Sequence, residues 1–275
     1  MNLNFGISTM VYHQENILKL LPYLKNSGIK NIEIRPHAGH FQCQNSELIS
    51  EIKNSIKKYN INAVAIHMPM DDVDISHIEE YDRVKSIREI EKTIITALNL
   101  DVKLVVVHPG SRYNNPNDKI KKLDNCVKSL KEIIDYFYKS NIKIALENTL
   151  PGRLGDRWED IKRIMDEVSS EKLGVCLDTG HYILNEEYAK IHEFNLGIFP
   201  IDWQKDLLHV HIHDNNSRED LHLLPGDGCI SWPSLISYLR KIDYMGSLVL
   251  ESKKQEYLPD YFDKVKSVFK KMEKL

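Results

Sequence analysis

Cysteine is scarce in this sequence, and its cysteines form no CxxC pair. The 275 residues include four, at Cys43, Cys126, Cys176 and Cys229. Cysteines spread this widely along a chain of this length are not typical of a disulfide framework. We therefore expect reduced thiols and a cytoplasmic protein. Cys176 lies within an apolar run, which favours a buried thiol over a metal ligand.

Sequence features of several other protein classes are also missing. No apolar run approaches the roughly 18 residues of a membrane span, and the first residues, MNLNFGIST, lack the basic and apolar regions of a signal peptide. Neither G-x-G-x-x-G nor GxxxxGK[ST] occurs, which disfavours the open-sheet nucleotide-binding folds. The net charge of -3 gives no general attraction to nucleic acid or anionic membrane. We therefore expect no membrane partner, and a nucleic acid partner is disfavoured.

Short apolar runs alternate with amphipathic stretches along the whole chain. Several runs, such as Leu104–Val107, are apolar throughout, as is typical of parallel strands buried on both faces. Eight such strands, each followed by a helical pattern, predict an α/β fold, a single (β/α)8 TIM barrel over residues 1–275. An open doubly wound sheet is the alternative. The predicted strands are Leu3–Ser8, Asn31–Arg35, Ala63–His67, Leu104–His108, Ile142–Glu147, Leu173–Asp178, Leu207–His211 and Ser247–Glu251.

Seven of these strands end in, or near, a residue that can bind metal or move a proton. Strand ends converge on one face of a barrel, where active sites are built. Polar groups at the ends of apolar strands need partners or a cation when they are desolvated. Nitrogen and oxygen donors without thiolate suit zinc, manganese or iron. The residues are Glu33, His67, His108, Glu147, Asp178, His211 and Glu251, joined by His181 and by the loop pair Asp220 and His222.

The order and local context of these residues resemble the xylose-isomerase-like TIM barrel superfamily over nearly the whole chain. That superfamily holds sugar-phosphate isomerases and epimerases, and also the endonuclease IV enzymes. The resemblance rests on HMP at His67, HPG at His108, ENT at Glu147, D-x-x-H at Asp178 and His181, HIHD at His211, D-x-H at Asp220 and His222, and LES at Glu251.

The isomerase and epimerase branch implies one divalent ion, zinc or manganese, held by Glu147, Asp178, His211 and Glu251. There the two glutamates resemble an acid/base pair that moves a proton next to a carbonyl through an enediolate. His181 resembles a substrate-binding histidine. The implied substrate is a sugar or a sugar phosphate. Glu33 is expected either to contact a substrate hydroxyl or to form a salt bridge to a neighbour such as Arg35.

The endonuclease IV branch implies a different centre. There Glu147 resembles the metal-bridging residue and the general base of phosphoester hydrolysis. Nine positions match the ligands of a trinuclear zinc site: His67, His108, Glu147, Asp178, His181, His211, Asp220, His222 and Glu251. The number of ions therefore stays open between one and three. Two departures disfavour a DNA repair enzyme: Met70 stands where that group usually has tyrosine, and the first loop, TMVYHQEN, lacks its glycine-rich opening.

Two loop arginines are candidates for binding the substrate. Arg153 occupies a position, six residues after Glu147, where ketose epimerases tend to carry glutamate, and this disfavours a neutral free ketose. Arg218 follows HIHD. Arginines at a barrel mouth can bind phosphate or carboxylate, and an exposed loop charge is the alternative for each. A metal-dependent binding protein without catalysis, and a homodimer, are further alternatives that the sequence leaves open.

Overall fold

The computed structural model describes residues 3–43, 45–185, 205–253 and 257–275. Eight strands in this part of the chain form a closed barrel, in which each strand pairs in parallel with the next and the first pairs with the last. The predicted TIM barrel is confirmed, and every predicted strand end lies within one residue of the observed end. The strands are β1 (Asn4–Ser8), β2 (Asn31–Ile34), β3 (Asn62–His67), β4 (Leu104–Val107), β5 (Lys143–Glu147), β6 (Leu173–Asp178), β7 (Leu207–Ile212) and β8 (Ser247–Leu250).

Helices follow the strands in the (β/α)8 order. Among the described helices, none has both the length and the apolar character needed to cross a bilayer. Besides a 3-10 helix (Thr9–Tyr12), they are α1 (Ile17–Ser27), α2 (Ser46–Tyr59), α3 (Glu80–Asn99), α4 (Pro116–Tyr136), α5 (Trp158–Val168), α6 (Thr179–Leu184), α7 (Trp232–Lys241) and α8 (Leu258–Met272).

Side-chain caps define where several helices begin. Asn16, Asn45 and Asn115 each accept a hydrogen bond from a backbone N–H in the first turn of α1, α2 and α4, which satisfies a donor that the helix itself leaves free. Asp178 does the same for α6 through the backbone N–H of His181. This last cap matters for the site, because it links two predicted ligands through the backbone.

The alternation along the strands separates two layers of side chains. Residues such as Val105 and Val107 face outward and belong to the large core beneath the helices. The inward-facing residues Ala65, Val106, Ala145 and Cys176 form a separate small apolar cluster inside the barrel. Two residues further along the same four strands stand His67, His108, Glu147 and Asp178. Because side chains repeat every two residues in a strand, these four also point inward, one layer above the apolar cluster.

Candidate active site

The nine predicted ligands lie together at the C-terminal end of the barrel, with Glu147 at their centre. Its Oε2 lies 3.1 Å from Nε2 of His67 and 3.1 Å from Nε2 of His108. Its Oε1 lies 3.4 Å from Nδ1 of His211 and 3.5 Å from Nδ1 of His181. The side chain is only 1 % exposed. One carboxylate therefore faces four imidazoles that come from different strand ends.

Nδ1 of His211 faces three carboxylates at once. Besides Glu147, it lies 3.8 Å from Oδ2 of Asp178 and 3.8 Å from Oε1 of Glu251. This nitrogen is buried and has no hydrogen-bond partner among the described residues. A buried polar atom without a partner costs free energy. Three carboxylate oxygens around such an atom form a donor set that fits a divalent cation.

The loop after β7 extends the cluster. Nδ1 of His181 lies 3.6 Å from Oδ1 of Asp178, and its Nε2 lies 4.0 Å from Oδ2 of Asp220. Nε2 of His222 lies 3.2 Å from the same Asp220 oxygen. The D-x-H pair of the sequence is therefore joined to the strand-end residues, and all nine predicted ligands form one continuous network.

The second ring nitrogen of several histidines is fixed by a backbone carbonyl. Nδ1–H donates to the carbonyl of Met68 in His67 (2.8 Å), to that of Asn148 in His181 (3.0 Å) and to that of Glu251 in His222 (3.1 Å). A carbonyl only accepts, so Nδ1 carries the proton. A neutral imidazole then has no proton on Nε2, yet Nε2 faces a carboxylate. A bound cation or an added proton must separate the two, and metal-ligating histidines have this arrangement.

Glu33 lies beneath this network and is fully buried. Its Oε2 accepts hydrogen bonds from Nε2 of His209 (2.9 Å) and Nε2 of His211 (3.0 Å). The salt bridge to Arg35, one of the two alternatives for Glu33, does not form, because the Arg35 guanidinium instead donates to Oε1 of Glu251 at 3.0 Å. Glu33 therefore contacts two histidines rather than the cavity where a substrate hydroxyl would lie, and it turns Nδ1 of His211 toward the carboxylates.

Burial and neighbouring charges shift the pKa values of these groups in opposite directions. Burial raises the pKa of Glu147, but the charges of His108 and His211 outweigh it and lower the pKa well below its usual range. Burial lowers the pKa of His211, whereas Glu33, Glu251 and Glu147 raise it well above 6.5. Without a metal, protons on histidine therefore balance the carboxylates. A divalent cation would supply the same positive charge.

His213 contacts the site but was not among the predicted ligands. Its Nε2 donates to Oδ1 of Asp178 at 3.0 Å, and its ring stacks on His222 with centroids 3.9 Å apart. Gly180 leaves room for this ring, because a Cβ there would lie 1.9 Å from a His213 ring carbon. The packing of His213 therefore explains why the DTGH segment has glycine at position 180. The strand alternation is the signal for His213, since His209 and His213 share the phase of His211.

Two adjoining cavities open onto the network, which we call the inner and outer cavities. The inner cavity, of about 130 Å³, is lined by Met10, Arg35, Met70, His108, Glu147, Thr149, Leu150, Arg153, His181, Asp220, His222 and Glu251. The outer cavity, of about 510 Å³, is lined by Met68, Met70, Asp72, Val73, Asp74, His77, Asp82, Lys85, Ser86, His108, Gly110, Ser111 and Arg153.

The two candidate arginines are placed differently. Arg153 lines both cavities. Arg218 is an exposed loop residue, outside the lining of either cavity, and its backbone N–H donates to the side chain of Asn216. Of the two alternatives for Arg218, its position therefore agrees with an exposed loop charge.

Relatives of known sequence match most or all of the chain. An uncharacterized protein of Methanocaldococcus jannaschii is 29% identical over 290 residues, covering 100% of this chain and 94% of its own. A probable endonuclease 4 of Campylobacter fetus is 27% identical over 229 residues, covering 74% of this chain and 76% of its own. The chain is thus similar both to a protein of undescribed activity and to a probable nuclease.

Solved structures have the same architecture. A D-tagatose 3-epimerase-like protein matches with a TM-score of 0.84 and 26% identity, covering 99% of this chain and 98% of that one. The IolI protein with a bound zinc atom matches with a TM-score of 0.80 and 19% identity, covering 98% of both chains. At that lower identity the likeness is one of fold.

The family model for the xylose isomerase-like TIM barrel matches residues 19–272. The match begins in α1 and ends at the last residue of α8, so it includes seven of the eight strands and all nine residues of the network. This chain belongs to the xylose isomerase-like TIM barrel family.

Proposed function

We propose that this chain is a divalent-metal-dependent isomerase or epimerase of sugars or sugar derivatives, which moves a proton next to a carbonyl. The supporting observation is the unpartnered, buried Nδ1 of His211, which faces Glu147 and Glu251 together. Both glutamates would then lie beside one bound ion and the substrate. Two carboxylates beside the same reacting carbons can act as general base and general acid.

Glu147, Asp178, His211 and Glu251 would hold the metal. When bound, a divalent ion polarises a carbonyl oxygen and stabilises negative charge that develops on it. His211 is already turned for this role, because its other nitrogen donates to Glu33. The donor set contains nitrogen and oxygen only, which favours zinc or manganese.

Glu147 and Glu251 would transfer the proton. Burial raises the pKa of Glu251, but His211 and Arg35 outweigh burial and lower it, so both glutamates are ionised at neutral pH. One ionised carboxylate would remove the proton next to the carbonyl and become protonated. The other would first take up a proton from solvent and give it to the neighbouring carbon or to the opposite face, so that no proton is gained or lost over the reaction. The Arg35 guanidinium, 3.0 Å from Glu251, fixes the position of that carboxylate.

His181 would orient the substrate. Its Nδ1–H donates to the carbonyl of Asn148, which leaves Nε2 to contact a substrate hydroxyl in the inner cavity, which His181 lines. The inner cavity is small, and it brings this nitrogen, Glu147 and Glu251 to the same volume. The solved structure of a D-tagatose 3-epimerase-like protein, similar to this chain over nearly its full length, supports a sugar as substrate.

A phosphoester hydrolase with more than one ion is the second candidate. One support is the pair His67 and His108, which contact Glu147 but are not among the four residues proposed to hold a single ion. The other is the relative named as a probable endonuclease 4. Charge disfavours DNA as substrate. The outer cavity carries three aspartates against Lys85 and Arg153, whereas binding a phosphate backbone depends on basic residues.

Solvent exchange tests the proposed function directly. The metal-loaded chain is incubated in deuterium oxide with a panel of ketoses, aldoses, their phosphates and sugar acids, and mass spectrometry records deuterium at the carbon next to the carbonyl. We expect exchange with part of the panel and a loss of about 10²- to 10⁴-fold in Glu147→Gln and Glu251→Gln. The exposed Glu159→Gln on α5 is the matched control.

The same proteins are assayed for cleavage of DNA that contains an abasic site. Metal content measured on each variant separates lost proton transfer from lost metal. Exchange that depends on both glutamates supports the isomerase or epimerase. Cleavage without exchange would overturn it in favour of the hydrolase.

A further inference from the structure

Arg153 lies where the inner and outer cavities meet. It belongs to the loop after β5, in which its backbone N–H donates to the carbonyl of Leu150 and its backbone bridges to that of Arg112. Together with Met70 and His108, it lines both cavities. Arg153 thus lies beside the metal-binding residues and next to the larger space outside them.

The charge of Arg153 is not balanced by a carboxylate. Among the described residues, no carboxylate oxygen lies within 4.0 Å of its guanidinium, and its buried Nε has no hydrogen-bond partner. Other arginines differ: Arg35 pairs with Glu251, and the fully buried Arg83 pairs with Glu80 and Glu132. A buried donor left unpaired is unfavourable, so a ligand that supplies an anionic acceptor there would bind favourably.

Two of the three aspartates that line the outer cavity are engaged elsewhere. Asp74 accepts from Nζ of Lys122 at 2.9 Å and from Ser111, and Asp82 lies 3.8 Å from Nδ1 of His77. They do not neutralise Arg153, but their charge opposes the entry of a polyanion. The arrangement therefore suits one small anionic group.

The two cavities differ in size, and one substrate would extend through both. The inner cavity, about 130 Å³, is below the range of roughly 300–1,000 Å³ that is usual for whole ligands, whereas the outer cavity, about 510 Å³, lies within it. The reacting carbons of a sugar would occupy the inner cavity, and the rest of the molecule would extend past Arg153.

We propose that Arg153 binds a phosphate or carboxylate carried by the substrate, so that the substrate class is an anionic sugar rather than a neutral one. This inference rests on the proposed function for the reacting end. The planar guanidinium forms paired hydrogen bonds with either anion. Both sources share this chemistry, and the experiment separates them.

The test compares ligands that differ only in the anionic group: D-ribulose with D-ribulose 5-phosphate, and D-glucose with D-glucuronate. Calorimetry on the metal-loaded chain gives the ratio of anionic to neutral affinity, in which contacts of the shared sugar atoms cancel. We expect Arg153→Gln to lower this ratio about 10- to 100-fold for the preferred anion, with partial recovery in Arg153→Lys. Arg88→Gln, an exposed arginine on α3, is the control and leaves the ratio unchanged.

The outcome for each ligand pair is distinct. A larger effect on the phosphate pair identifies a sugar phosphate, and a larger effect on the glucuronate pair identifies a sugar acid. An unchanged ratio in Arg153→Gln would overturn the inference, even where deuterium exchange supports the proposed function. A different result is that no compound exchanges deuterium, while the ratio of anionic to neutral affinity still depends on Arg153. That result would overturn the proposed function but would support the anion-binding role of Arg153.

Discussion

Replacing Glu33 by glutamine tests whether a residue outside the ligand set controls the metal centre. Oε2 of Glu33 accepts from Nε2 of both His209 and His211. An amide of the same size removes the negative charge, and in one orientation it turns an NH₂ group toward those ring nitrogens. His211 is then free to place its proton on Nδ1, the atom that faces Glu147, Asp178 and Glu251.

The magnitude follows from the role of such outer partners. Loss of a residue that orients a ligating histidine typically weakens metal affinity about 10- to 100-fold, or about 1.4–2.8 kcal/mol. The metal-free chain is destabilised too, by about 3 kcal/mol at the lower end of the range for breaking a buried charged pair. Glu33 is fully buried, so solvent does not screen this loss.

The assay is a metal titration against a chromophoric chelator, run beside denaturant unfolding of the metal-free proteins. Glu132→Gln on α4 is the matched control, because it makes the same chemical change and removes a salt bridge to the buried Arg83. We expect that control to lower stability without changing metal affinity. Wild-type affinity in Glu33→Gln, with affinity lost in His211→Gln, would refute the orienting role.

Two further predictions concern the same centre. Gly180→Ala would place a Cβ 1.9 Å from a His213 ring carbon; we expect a loss of about 1–3 kcal/mol of stability and weaker metal binding, and unchanged denaturant unfolding would contradict the packing of His213. The second prediction concerns pH. Burial lowers the pKa of His211, but surrounding carboxylates raise it well above 6.5, so its proton stabilises the metal-free chain below that pH, and the contribution is lost as the pH rises through the folded-state pKa. The difference in Tm between metal-loaded and metal-free protein should therefore widen as the pH rises above 6.5. Calorimetry that finds this difference narrowing would contradict the role of the proton.

The barrel could be predicted because its signals are local. Strands such as β4 are continuous apolar runs, and helices such as α4 begin at an asparagine followed by proline. The observed strand ends also explain why a strand-end cluster was predictable. Side chains along a strand repeat every two residues. Because Ala145 faces the barrel interior, Glu147 does so as well, and the same holds for the other strands.

The contacts within the site could not be predicted in the same way. His209, His211 and His213 share one phase, and only the closure of the barrel sets the height of each: His209 contacts Glu33, while His213 contacts Asp178. Arg35, just after β2, pairs with Glu251, just after β8, past the intervening β1, rather than with its neighbour Glu33. Sequence distance carries no information about such pairs.

Metal content per chain distinguishes a centre with one ion from a centre with several ions and from a site that binds no metal. Elemental analysis is performed on protein purified without a metal-affinity column or chelator, and again after reconstitution and removal of excess metal. We expect about one divalent ion per chain, and we expect it to be lost in His211→Gln. Two or three tightly held zinc ions per chain would favour the hydrolase, and no bound metal even after reconstitution would contradict metal-dependent chemistry at this site.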